Sequence, residues 1–64
     1  MRYKQKISDH IESLEMTNSK IIDLLEDFGI NGNPSLVSEA LRLARLNEKY
    51  RENIDNLVDL EEED

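Results

Sequence analysis

Ile7, Leu14, Ile21 and Phe28 recur at intervals of seven residues. Set at position d of a heptad, they place Lys4, Ile11, Asn18 and Leu25 at position a. An unbroken seven-residue repeat keeps one narrow stripe turned toward a partner helix. Asn18 interrupts that stripe near its centre. A lone Asn at a buried a position costs stability but fixes register and strand number, because its amide must find a matching amide. The pattern predicts a first helix over about residues 3–28 that meets another helix in one alignment.

The next residues read as a chain reversal. Gly29 is the expected left-handed stop, and Ile30 falls where a Schellman cap returns an apolar contact to Leu25. Asn31-Gly32 is a turn dipeptide. Asn33 is the expected N-cap of a second helix, with Pro34 at the first helical position, where its missing N–H is harmless. That helix is expected over about residues 34–60, so that residues 1–60 form a single hairpin with its turn at 29–33. Glu61, Glu62, Glu63 and Asp64 then follow as an acidic tail.

Two helices of similar length joined by a short loop pack as antiparallel neighbours. A fold at Asn31 pairs residues whose numbers add to roughly 62, which brings Arg2, Lys4 and Lys6 beside Leu60, Val58 and Asn56. Bases at the start of the first helix and acids at the end of the second each oppose their helix dipole, and this cross-pairing gives them partners.

The second helix carries a broader apolar stripe: Leu36, Val37, Ala40, Leu43, Ala44, Tyr50, Ile54 and Leu57, widened by Leu41, Leu46 and Val58. Ile22 and Leu24 widen the first. A stripe wider than one seam serves more than one neighbour, and Ala40 and Ala44 allow a close helix approach. The expected fold class is all-α: a coiled-coil-like antiparallel hairpin that assembles as an oligomer, as a dimeric four-helix bundle. The first helix could instead pair in parallel with its copy, or Asn18 could meet Asn47 on the inner side of the second helix. The pattern leaves these open. The expected oligomer interface comprises the apolar residues named at positions a and d, Asn18, and that stripe.

Composition strengthens the expectation of self-association. The chain has 64 residues, no Cys and one His. A domain this small usually needs disulfides, a metal or oligomerisation. Disulfides and thiolate sites are excluded, and one His builds no zinc site. The net charge is −7, yet the first 58 residues hold ten acids against eight bases, so the imbalance lies in the tail. Overall sign disfavours nonspecific binding to nucleic acid or to an anionic membrane. No apolar run approaches the ~20 residues of a membrane span. The start, Met-Arg-Tyr-Lys-Gln-Lys, is not expected to be a signal peptide. With no Cys the expected compartment is reducing, hence cytoplasmic.

Candidate chemistry is sparse. His10 reads as a rim histidine at a helix interface, with no second ligand at helical spacing. Glu48, Glu52, Asp55 and Asp59 form an acidic stripe that reads as a solvated face, with Arg51 set to pair with its neighbours. Arg42, Arg45 and Lys49 form a basic stripe that could touch a phosphate backbone, although no aromatic interleaves to stack bases. Met16 points outward and, like Glu61, Glu62, Glu63 and Asp64, is a candidate for partner binding. No glycine-rich phosphate loop and no nucleophile–base–acid set is present, so no catalytic residue, metal or cofactor is expected.

Three small helical families share parts of this layout. The equal helices with an acidic end resemble the plasmid repressor-of-primer dimer, which implies RNA binding. Asn33-Pro34 with Leu43, Arg45, Leu46 and Tyr50 is similar to sporulation aspartyl-phosphate phosphatase hairpins. Their Ser-Gln-Glu-Leu-Asp signature would fall on Ala40-Leu41-Arg42-Leu43-Ala44, whose residues lack its polar groups. A coiled-coil stretch followed by Gly29-Ile30-Asn31-Gly32 and an acidic-ended helix resembles fibre-assembly chaperones of tailed phages. The leading expectation is a non-enzymatic, homo-oligomeric interaction module that acts on an unidentified protein partner as adaptor, assembly factor or inhibitor. A nucleic-acid-binding hairpin dimer and an acidic DNA mimic are the alternatives.

Overall fold

The computed structural model describes residues 2–63. It contains two helices, α1 (Lys4–Asn31) and α2 (Pro34–Glu63), packed against each other as a hairpin. The molecule is a rod about 50 Å long. Two residues, Gly32 and Asn33, make the whole reversal.

The start of α2 is built locally. Asn33 Oδ1 accepts from the Ser35 backbone N–H at 3.1 Å and from the Ser35 hydroxyl at 2.9 Å. The Leu36 N–H donates to the Asn33 carbonyl at 3.1 Å. Asn33 thus satisfies an N–H that would otherwise lack a partner in the first turn, and Pro34 beside it brings none.

The end of α1 differs from the expected stop at Gly29. The helix runs through Gly29 and Ile30, and Gly32 takes the left-handed conformation at φ 65°, its N–H donating to the Phe28 carbonyl at 2.7 Å. The residue before a proline is pushed out of the α region, so Asn33 fixes where the second helix begins. Stopping three residues earlier would leave Ile30 and Asn31 without helical hydrogen bonds. Continuing costs only the helical penalty of one glycine, about 1 kcal/mol. Ile30 then points outward, 83% exposed.

The seam between the helices repeats in alternating steps of three and four on both sides. On the first side it is Tyr3, just before α1, then Ile7, His10, Leu14, Thr17, Ile21 and Leu24, with Phe28 at its edge; on α2 it is Leu36, Ala40, Leu43, Asn47, Tyr50, Ile54, Leu57 and Glu61. Position d of α1 therefore pairs with the neighbouring g position, which includes His10, Thr17 and Leu24. The a positions Ile11, Asn18 and Leu25 lie outside the seam and are exposed. The hydrogen bonds between the helices join residues whose numbers add to 64 or 65, Tyr3 with Glu61 and Asn18 with Asn47. The offset from 62 follows from the later turn.

The core is thin. Among the described residues only Ile7, Ala40, Leu43 and Thr17 are buried, and no side chain is fully enclosed. A two-helix hairpin has one internal interface, so the chain itself covers only that side of each helix.

Candidate functional site

The centre of the seam is polar. Asn47 Nδ2 donates to Asn18 Oδ1 and ties the helices together near mid-length. Asn47 Oδ1 is buried without a hydrogen-bond partner, an arrangement that costs stability. Thr17 beside it is buried because its hydroxyl donates to the Ser13 carbonyl one turn back, at 2.8 Å. Toward the open end the His10 and Tyr50 rings lie 6.3 Å apart between centroids and tilted by 37°, within the range of favourable ring contacts.

Glu61 closes the open end. Its carboxylate accepts from the Tyr3 backbone N–H, across 58 residues of sequence. Tyr3 is the residue before α1 and offers no side-chain cap, and the first turn of α1 carries no acid. Glu61 supplies both the acceptor and the negative charge that a helix N-terminus favours. α2 accordingly remains helical through Glu63, and the expected tail is a helix end with Glu61 half-buried and Glu62 and Glu63 exposed. Asp64 lies outside the described residues.

Helical geometry, about 100° per residue, sorts the remaining side chains onto two long flanks. Shallow grooves run along one flank. Ser13, Met16, Lys20, Leu46 and Tyr50 line the central one. Lys20, Asp23, Glu39 and Arg42 line the second, and Lys6, His10, Asn53 and Asn56 line the third. Arg42 grips Glu39 through both its Nε, at 3.1 Å to Oε2, and its Nη2, to Oε1. This hydrogen-bonded pair lowers the Glu39 carboxyl pKa below its ordinary value and raises that of Arg42. Lys49 is exposed along this side and Arg45 on the outer surface. The stripe of three bases is thus divided by geometry, and one of its members is already paired.

The other flank is apolar near the turn. It presents Ile11, Asn18, Ile22 and Leu25 from α1, and Val37, Leu41 and Ala44 from α2. Ile22 is 56% exposed, Leu25 47% and Leu41 58%. The residues expected at an oligomer interface therefore divide. Ile7, Leu14, Ile21, Leu36, Ala40, Leu43, Tyr50, Ile54 and Leu57 pack within the hairpin, whereas Ile11, Leu25 and Ala44 remain exposed on this flank, with Val37 half-covered.

The roles of Thr17 and Glu61 were not legible beforehand. The g-position spacing could have revealed Thr17; the cap made by Glu61 depends on a contact that closes the whole chain. Among the described residues no group of three His, Cys, Asp or Glu is placed to hold a metal, and no helix is long and apolar enough to cross a membrane. No family model, no curated protein and no solved structure matches the chain.

Proposed function

We propose that this chain is a non-enzymatic helical interaction module that works as a self-assembled hairpin dimer, a four-helix bundle, and engages a protein partner through the surface the dimer leaves free. One observation carries the reading: among the described residues three apolar side chains are buried, while Ile22, Leu25 and Leu41 stay about half exposed on one flank. At about 25 cal/mol per Å² of apolar surface removed from water, covering that flank is a stabilisation still open to the molecule. A protein partner fits the opposite flank, where Met16 and Leu46 sit among charged groups, as at an interface with an apolar centre and a polar rim.

Sedimentation equilibrium of the purified chain tests self-assembly. A species of twice 7.5 kDa at micromolar concentration is expected; a folded monomer removes the proposal. A gel-shift assay at low and moderate salt with mixed-sequence RNA and DNA is expected to show no binding. Retardation at moderate salt would favour the nucleic-acid alternative.

A further inference from the structure

A dimer of hairpins needs a face and a direction, and the distribution of charge along the apolar flank selects both. Its turn half presents Ile22, Leu25, Val37, Leu41 and Ala44. Its open half presents Lys4, Ile11 and Glu15 from α1 and Glu48, Arg51, Asp55, Val58 and Glu62 from α2, so that charged groups outnumber the two isolated apolar ones. We propose that a second copy of this chain packs on this flank with both turns at the same end, so that α1 of one copy lies antiparallel to α2 of the other. The inference rests on the self-assembly proposed above and adds which surface is used and how it is oriented.

In that alignment each residue meets its partner copy at the level it already has in its own hairpin, where residue numbers add to about 64. Ile22 and Leu25 of one copy come level with Leu41, Ala44 and Val37 of the other. Glu15 comes between Glu48 and Arg51, and Lys4 comes near Glu62. Arg51 is 3.6 Å from Glu48 in a pair that stays largely exposed, and so remains able to meet a further carboxylate. Apolar thus meets apolar at the turn end, while at the open end Glu15 meets Arg51, Lys4 meets Glu62, and Ile11 falls between Arg51 and Asp55, where the arginine is at hand for the carboxylate. Such matching fixes register and orientation more than it adds affinity.

The opposite alignment, turn against open end, is poorer. With the symmetry axis at the Asn18–Asn47 level, Leu25 would find Ile11, but Ile22 would come level with Glu15 and Leu41 with Asp55. Each of these contacts desolvates a carboxylate against an apolar group, which is costly without a paired cation. The grooved flank fits a copy of the chain less well, because Lys20, Asp23, Glu39, Arg42 and Lys49 surround its few apolar groups.

The chain has no cysteine, so Asn31→Cys supplies a single labelling site at the end of α1 near the turn. Spin labels there are expected within about 30 Å of each other across a bundle of helices each about 10 Å wide, against more than about 40 Å for the opposite alignment. Sedimentation is measured on the same samples. Ile22→Glu is expected to raise the dimer dissociation constant about a hundredfold or more, and Met16→Glu on the other flank is expected to leave it within about threefold. A dimer that lacks the short distance, or that survives Ile22→Glu and is broken by Met16→Glu, overturns the face and direction but leaves self-assembly standing. A monomer at all concentrations overturns both. The label distance requires no change at the interface, so it decides the alignment even where Ile22→Glu fails to fold.

Discussion

The turn half and the open half of the hairpin share one spacing and differ in what fills it. Near the turn the seam is Ile21, Leu24, Leu36, Ala40 and Leu43, apolar throughout. From mid-length to the open end it mixes Ile7, Leu14, Ile54 and Leu57 with His10, Thr17, Asn47, Tyr50 and Glu61. The first half gains stability from burial, which is indifferent to small slips along the helix axis. The second half gains alignment, because a hydrogen bond between two amides, or between a carboxylate and one backbone N–H, is lost when the helices slide by a residue. Dividing these tasks lets a thin core specify one register.

The largest effect expected from breaking this comparison is at Leu43. Leu43→Ala truncates a buried apolar side chain of the seam and is expected to cost about 2–4 kcal/mol in urea denaturation. Ile54→Ala, in the half-buried seam of the open half, is expected to cost clearly less. Equal costs would mean that the halves do not differ in how they are stabilised.

Next comes the amide pair. Asn18→Leu leaves the half-buried Asn47 amide without its partner across the seam and is expected to destabilise by about 1 kcal/mol. Replacing both Asn18 and Asn47 by Leu is expected to restore or exceed the parent stability while loosening register, because the unpaired amide is gone. The double-mutant cycle reads the coupling directly; strict additivity would show that the two amides act independently.

The two glycines sharpen the comparison at the turn. Gly29 is helical and has open space around the position a Cβ would take, so Gly29→Ala is expected to stabilise by about 0.5–1 kcal/mol. Gly32 has the same space but a φ of 65°, and Gly32→Ala is expected to destabilise by about 1 kcal/mol. The melting temperatures should move in opposite directions, and a fall for both would place the stop at Gly29 after all.

The smallest effect is at the open end. Glu61→Gln weakens the charge at the start of α1 and is expected to cost about 0.5 kcal/mol, less at high salt. Glu63→Gln is expected to change thermal stability by less than Glu61→Gln does. If the two variants match, the acids at this end contribute only through their summed charge.

Much of the architecture was legible in the sequence. Asn33-Pro34 marked the second helix because an Asn cap and a proline at the first position act within a few residues. The seven-residue recurrence of Ile7, Leu14, Ile21 and Phe28 marked the first helix and its inward stripe. Two choices were not local. Gly29 and Gly32 are both competent stops, and the winner depends on where the next helix must begin. The d stripe could be completed by the a or the g positions, and the hairpin takes g. That choice leaves Ile11, Asn18 and Leu25 on an open flank, with Asn18 answering Asn47 of its own chain. The wider apolar stripe is present, and the hairpin covers only the part of it at the d and g positions.

The bond from the Tyr3 N–H to Glu61 joins residues 58 apart, and its consequence is kinetic. A hairpin with a two-residue turn can close from that turn outward, each pairing bringing the next within reach, so the loop cost of distant contacts falls in small steps. The Tyr3–Glu61 contact is then the last to form and the first to open. Amide hydrogen exchange should grade along the rod, fastest at Tyr3 and slower at seam residues such as Leu43. The clasp at the open end thereby acts as a clock hand for the whole zipper.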